Sequence, residues 1–213
     1  MVKKLSMFIF GWLGKMGKRR TAILRSLGHF VSGYDIKYPA KQTFLKFDNL
    51  ILTKHYDGIL ICTPPNCHYE YIGYFINHFP LFIEKPIFER PIKVPNDWKN
   101  KGFVGCNTRY IIKNFTGNGK VKIIYNHNYD GHDKTDLVHF EDLKNVFKDV
   151  EYEAKFESDK RIFLVNGEEV TENIIWNSFV IEMRNFVKYC RGEIQSPNSI
   201  ELANQTLEKV MFS

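Results

Sequence analysis

The stretch DGILICT at residues 57–63 constrains this chain most, because it is apolar without alternation. Successive side chains of a strand point to opposite faces, so a strand with one wet face alternates apolar and polar residues. An unbroken apolar run instead belongs in a sheet covered on both sides, the setting of parallel strands flanked by helices. Four other short stretches suit the same sheet: KLSMFIF (4–10), HFVSGYD (29–35), LFIEKP (81–86) and KGFVGCN (101–107). Helical patterns lie between them. Residues 15–27 place Met16, Ile23, Leu24 and Leu27 near helical spacing, with Gly28 as a stop. PPN then opens a helix over 67–78, with Asn66 as its cap. Pro91 and Pro95 leave the next crossover an irregular loop. Residues 38–56 are less regular, with a short strand near TFLKF and a short helix near DNLILTKHY.

Beyond residue 108 the pattern changes. KVKIIYNHNY (120–129) reads as one long strand, and DLVHFEDLKNVF (136–147) has helical spacing. YEAKF and RIFLV read as strands, and Asn166-Gly167 between RIFLV and EEVTE is a two-residue hairpin signal. Residues 173–192 form a long amphipathic helix closed by Gly192, and 199–211 a last one. The expected fold is therefore α/β. A doubly wound parallel sheet with right-handed crossovers spans 1–108, and a smaller α+β domain with a mainly antiparallel sheet spans 109–213.

Composition narrows the function classes. At 213 residues, 44% hydrophobic and 25% charged, the chain suits one large soluble domain or two small ones. No apolar run approaches the roughly 20 residues of a membrane span. The N-terminal MVKKLSMFIFGW lacks the length and cleavage site of a signal peptide, so a cytoplasmic protein without a membrane partner is expected. Cys62, Cys67, Cys106 and Cys190 form no C-x-x-C pair and no Cys/His array of zinc spacing, so they read as buried or half-buried thiols and no metal site is expected. The formal charge is +6, and Lys15, Lys18, Arg19 and Arg20 make the one tight basic cluster, either a solvated helix face or a phosphate-facing rim. No nucleic-acid motif or aromatic–basic stripe accompanies it, so no nucleic-acid partner is expected.

MFIFGWLGKMGKRR (7–20) joins the first strand to the first helix through Gly11, Gly14 and Gly17. Glycines at such a junction let helix N-terminal amides approach a pyrophosphate. Gly14 and Gly17 fit the second and third positions of a dinucleotide fingerprint, whereas Trp12 replaces its first glycine. Asp35, 21 residues after Gly14, can accept hydrogen bonds from ribose hydroxyls, which favours NAD, although nearby Lys37 would tolerate a 2′-phosphate. The cofactor set at this turn is Gly11, Trp12, Leu13, Gly14, Lys15, Met16 and Asp35.

Three further motifs lie where strands end. C-T-P-P-N-C-H (62–68) makes a rigid wall in which Thr63 can bond a ribose or phosphate, although Pro-Pro-Asn is also ordinary turn chemistry. Lys85 in E-K-P (84–86) ends a strand, where partial desolvation brings an amine toward the range of a general acid or base. Glu84 either orients it or forms a plain surface pair with it. In D-L-V-H-F-E-D (136–142), Asp136, His139 and Asp142 recur at a spacing that shares a helix face and suits proton transfer.

GWLGKMGKRR, VSGYD, DGILICTPPNCH, LFIEKP, VGCNTRY and DLVHFED, in this order, resemble the Gfo/Idh/MocA family of NAD(P)-dependent oxidoreductases. The resemblance implies a Rossmann domain followed by an α/β domain whose open sheet forms the interface of a homodimer or higher homo-oligomer. It implies hydride transfer between nicotinamide and a sugar-like alcohol or carbonyl. Lys85 would exchange the proton at the reacting oxygen, supported by His139 and Asp136. Asn107 and Arg109 would lead toward the substrate. Cys62, Thr63, Pro64, Pro65, His68 and Glu84 would line the nicotinamide side of the groove. The chain departs from the family at Trp12, in its shorter length after E-K-P and before DLVHFED, and in D-x-x-H where many members have D-x-x-x-H. The shorter spacing resembles a subset linked to surface-sugar biosynthesis. The trimmed substrate region leaves a second possibility, a non-catalytic dinucleotide-binding sensor or assembly protein.

Overall fold

The structure is a computed structural model that describes residues 3–36, 56–114, 121–126, 133–145, 149–155 and 162–212. Strands β1 (Ser6–Phe10), β2 (Phe30–Tyr34), β3 (Gly58–Ile61), β4 (Leu81–Ile83) and β5 (Phe103–Val104) form one parallel sheet in the order β2-β1-β3-β4-β5. The chain runs outward from β1 to β2 and then crosses to β3 on the other side. The strand order therefore reverses between β1 and β3, where doubly wound sheets hold their ligands.

The two-residue period of each strand sorts its apolar residues between two faces. Phe8, Phe10, Ile59, Ile61 and Ile83 pack against α2 (His68–Phe75) and α5 (Ile200–Phe212). Met7, Ile9, Leu60, Phe82 and Phe103 pack against α1 (Lys15–Ser26) and α4 (Glu172–Cys190). Every residue of β3 is buried, as its lack of alternation requires. On the second face Phe82 stacks on Phe103 at 5.8 Å and meets Phe186 edge-on at 5.4 Å. Burying each such ring stabilises by about 1.5–3 kcal/mol.

Helices α4 and α5 come from the far end of the sequence yet cover the first sheet. Phe179, Met183, Phe186 and Val187 form the inward stripe of α4, and Ile200, Ala203 and Leu207 that of α5. The second sheet holds β6 (Val121–Asn126), β7 (Val150–Lys155), β8 (Ile162–Val165) and β9 (Glu168–Glu169) in the order β7-β6-β8-β9. β6 pairs antiparallel with β8, and β8 with β9, while β6 and β7 run parallel. That parallel pair is joined by α3 (Asp133–Lys144), since parallel strands require a crossover. Asn166 (φ 54°) and Gly167 (φ 84°) are both left-handed, as the hairpin signal predicts. A small core of Ile111, Leu143, Val165 and Val170 lies between this sheet and its neighbours.

Some local expectations change. The E-K-P and G-C-N ends lie outside the ladder, because β4 stops at Ile83 and β5 at Val104. The helix expected over 67–78 is a 3-10 turn, Pro65–Cys67, followed by α2, so Asn66 lies inside the turn and caps nothing. Residues 84–102 form no helix, in keeping with Pro91 and Pro95. The elements expected near TFLKF and DNLILTKHY, and Lys37, lie outside the described residues apart from Tyr56. Among the described residues no helix is long and apolar enough to cross a membrane, and no group of His, Cys, Asp and Glu is arranged to hold a metal. All four cysteines are free thiols.

Candidate active site

The glycine turn sits at the carboxyl end of β1. Gly11 is left-handed (φ +73°), and its amide donates to Tyr34 O at 2.8 Å. A Cβ at Gly11 would lie 2.5 Å from Cys62 O, so this glycine lets the turn abut the end of β3. A Cβ at Gly17 would lie 2.2 Å from Gly11 O and 2.5 Å from Trp12 Cα, so α1 packs flush on the turn. Gly14 is extended and opens α1 with no side-chain cap and no acidic residue in the first turn. The first amides of a helix have no partner within it, and their positive dipole end favours an anion.

Trp12 takes no part in that opening. Its Cβ and Cγ lie 2.6 and 2.8 Å from where Gly33 would carry a Cβ. The side chain therefore lies across β2 at Gly33 and joins the apolar cluster beneath α1 and α4. The glycine within HFVSGYD was the available signal for this approach, since glycine inside a strand marks close contact. Trp12 Nε1 is buried without a hydrogen-bond partner among the described residues.

Asp35 ends β2 and is 7% exposed. Its Oδ2 accepts the Leu13 amide at 3.1 Å, so the acid braces the glycine turn. Lys15 and Lys18 are exposed and Met16 is half-buried. Thr63, Pro64 and Pro65 follow β3 beside Gly11, and the Thr63 hydroxyl is buried without a hydrogen-bond partner among the described residues. A cradle that Cβ atoms would fill, an uncapped helix and an orphaned hydroxyl together fit a dinucleotide.

His68 is fully buried, at 0% exposure. Its Nε2 pairs with Thr63 O at 2.8 Å and its Nδ1 with Ile87 O at 2.9 Å, which ties the T-P-P loop to the loop after β4. Its ring is thus a strut between the two loops, not a surface of the groove. Burial pushes its pKa below the usual imidazole range, against the pull of the two carbonyls.

Glu84 also turns inward. Its Oε1 accepts Arg20 Nε at 2.7 Å, and Arg20 Nη1 lies 2.5 Å from Glu182 Oε2 on α4. Arg20 is 1% exposed, with its guanidinium 4.6 Å from the Phe82 ring centroid and 5.0 Å from that of Phe179. It is therefore neither a solvated helix residue nor a phosphate rim, and Glu84 is not a simple partner of Lys85. Burial works against the Arg20 charge, but Glu182 and Glu84 more than restore it. Burial raises the Glu182 pKa, with Arg20 opposing. Local sequence gave no sign of this cluster, because its members lie on three separate elements.

Lys85 precedes a cis peptide bond to Pro86. With Cys106, Val138, Asp142, Asn198 and Thr206 it lines a cavity of about 10 Å³. That is room for about one water. Asp142 is not free for catalysis, since both its oxygens accept from Arg109. Arg109 also donates to Pro197 O at 2.5 Å, and Asn107 donates to Ser178 Oγ at 3.0 Å. Both residues expected to lead to substrate thus brace the interior. Asp136 and His139 lie on α3, three positions apart, and the placement of their side chains lies outside the described residues.

No protein-family model matches the sequence, and no curated protein matches it. Solved structures do. An oxidoreductase from Thermotoga maritima superposes with a TM-score of 0.68 at 12% identity, over 98% of this chain and 95% of that one. The WlbA dehydrogenase of Thermus thermophilus, solved with NAD and UDP-GlcNAcA, gives 0.60 at 12% identity, over 97% and 93%. The chain shares the fold of these solved structures. The myo-inositol 2-dehydrogenase of Lactobacillus plantarum gives 0.56 at 14% identity, over 98% and 96%. In this fold the glycine turn, the T-P-P loop and Lys85 follow β1, β3 and β4 at the carboxyl edge of the parallel sheet, beside the reversal of strand order.

Proposed function

We propose that this protein is an NAD(P)-dependent oxidoreductase, with NAD favoured, that transfers a hydride between nicotinamide and a sugar or sugar-derivative alcohol or carbonyl. A role in surface-sugar biosynthesis is part of this reading. One observation carries it: Gly11, Thr63 and Lys85 follow three adjacent strands, β1, β3 and β4, around the reversal of strand order. The WlbA neighbour, solved with NAD and UDP-GlcNAcA, supports the sugar nucleotide class.

Nicotinamide, when bound, supplies or accepts the hydride. The chain does the rest. The Gly11–Gly17 turn and the α1 N-terminus hold the pyrophosphate, and Asp35 keeps that turn in place. Thr63 offers its hydroxyl to the ribose or phosphate. Lys85 Nζ gives a proton to the carbonyl oxygen during reduction, or takes one from the hydroxyl during oxidation, with His139 and Asp136 supporting it. His68 fixes the distance between the two loops that carry Thr63 and Lys85.

The test is fluorescence titration with NADH and NADPH, followed by turnover with a panel that includes UDP-GlcNAcA and myo-inositol. Binding with turnover on one sugar class is expected, and Lys85→Ala should cut kcat by roughly 10²–10⁴-fold. The second reading, a non-catalytic dinucleotide-binding protein, is favoured by the water-sized cavity beside Lys85 and by the internal engagement of Asn107 and Arg109. Binding without turnover on any substrate, with function insensitive to Lys85→Ala, would establish that reading.

A further inference from the structure

Arg109 joins three parts of the molecule that lie far apart in sequence. It sits on the 3-10 stretch Asn107–Asn114, just past the end of β5. Its Nε donates to Asp142 Oδ2 at 2.5 Å and its Nη2 to Asp142 Oδ1, so the guanidinium fork holds the α3 carboxylate through both oxygens. Its Nη1 donates to Pro197 O at 2.5 Å, and Nη2 also reaches Asn198 Oδ1 at 3.4 Å, both in the loop between α4 and α5. Asn198 is in turn fixed to β5. Val104 N donates to Asn198 O at 2.8 Å, and Asn198 Nδ2 donates to Val104 O at 3.1 Å.

This line of contacts, from α3 through Arg109 and Asn198 to β5, passes beside Lys85. Lys85, Val138, Asp142 and Asn198 line the same cavity of about 10 Å³. Val138 and Asp142 are four positions apart, so one face of α3 carries both. Val138 belongs to the apolar cluster that includes Ala203 and Leu207 of α5. Apolar burial is non-directional, so it holds the helix down without setting its register. A bidentate guanidinium–carboxylate pair does set register, because both hydrogen bonds require one orientation. The pair is withdrawn from solvent, with the Asp142 side chain 2% and the Arg109 side chain 10% exposed.

We propose that Arg109 is a positioning residue: by gripping Asp142 and the Pro197–Asn198 loop together, it sets α3, which carries Asp136 and His139, in fixed register against the carboxyl end of β5 beside Lys85. This rests on the reading of Lys85, His139 and Asp136 as the proton-transfer set. The internal engagement of Arg109 then serves the reaction without contact to substrate. Misplacing reacting groups by about 1 Å costs roughly 10²-fold in rate. Lysine cannot replace Arg109, since it keeps the charge but offers a point donor in place of the planar fork.

Hydrogen exchange read by mass spectrometry on the intact protein tests the brace without substrate, and kinetics test what the brace does. In Arg109→Lys and in Asp142→Asn, amides of α3 should exchange at least about tenfold faster, as expected for losing a charged hydrogen bond, while those of α1 stay at the wild-type rate. NADH affinity by fluorescence titration should not change, because the glycine turn lies on β1 and α1. Turnover of UDP-GlcNAcA or myo-inositol should show kcat reduced by roughly 10²-fold with the KM for nucleotide kept. The double variant should lose no more than the larger single loss, because the two residues act as one pair. A folded Arg109→Lys protein with unchanged α3 exchange would overturn the proposal, and so would faster α3 exchange with kcat kept. If Arg109→Lys does not fold, Asp142→Asn decides in the same way. Failure of the oxidoreductase reading shows separately, as absent turnover by the wild type while the variants still exchange faster in α3.

Discussion

The Leu13 amide donates to Asp35 Oδ2 across 3.1 Å, so the acid that ends β2 and the glycine turn that ends β1 are one unit. An acid at this position is ordinarily read through the ribose alone. Here its carboxylate also fixes the backbone that would face a pyrophosphate. Asp35→Ala should therefore weaken NADH and NADPH alike, by about tenfold, as expected for losing a hydrogen bond to a charged group. Isothermal titration with both nucleotides checks this. A loss confined to NADH would show that Asp35 acts only on the ribose.

The close contact between α1 and the glycine turn gives a second prediction. A Cβ at Gly17 would meet backbone atoms 2.2–2.5 Å away, which no side-chain rotation relieves. Gly17→Ala should destabilise by about 1–3 kcal/mol in chemical denaturation and abolish nucleotide binding. Gly73 in α2 provides the contrast, because its added Cβ would meet only the Trp98 ring at 3.6 and 3.9 Å. Gly73→Ala should stabilise by about 0.5–1 kcal/mol through helix propensity.

The parallel sheet was legible because its signals are local. DGILI is apolar on both faces, Gly11 sits where the chain must turn left-handed, and Asn166-Gly167 fits one hairpin type. The bracing of the site was not legible, because it depends on partners far apart in sequence. Lys15, Lys18, Arg19 and Arg20 form one basic run, yet only Arg20 is fully buried, by acids 64 and 162 positions later. Asn107 and Arg109 sit at the sheet's carboxyl edge, as substrate residues would, but Ser178 on α4 and Asp142 on α3 occupy them. Amphipathic spacing showed that α4 and α5 had an inward face without showing that it covers the first sheet.

Breaking the buried charge cluster should be costly. Arg20→Met leaves two buried carboxylates without their counter-charge and should destabilise by about 3–5 kcal/mol. The triple variant Arg20→Met, Glu84→Gln, Glu182→Leu removes all three charges and should recover most of that loss. Urea denaturation of the two variants beside wild type reads the difference. Equal loss in both would mean that packing around Phe82 and Phe179, not charge, holds this region.

The buried His68 ring gives a pH dependence of definite sign. Burial depresses its native pKa, while the unfolded chain binds a proton near the ordinary value of ~6.5. The unfolded state thus holds more protons just below that value, and stability falls as pH falls through it. His29 adds to the effect, because its Nδ1 accepts the Leu5 amide and burial lowers its pKa as well. Melting temperature should therefore drop between roughly pH 7 and 5, and less steeply for His68→Gln than for wild type. Parallel slopes would remove His68 as a contributor.

The most direct test of the account is a crystal structure of the protein with NAD. The account predicts density for the pyrophosphate at the Gly11–Gly17 turn against the α1 N-terminus, the Trp12 indole still lying across Gly33, and nicotinamide C4 turned toward Lys85 Nζ. An indole swung into the phosphate position, or a nicotinamide placed away from Lys85, would contradict it.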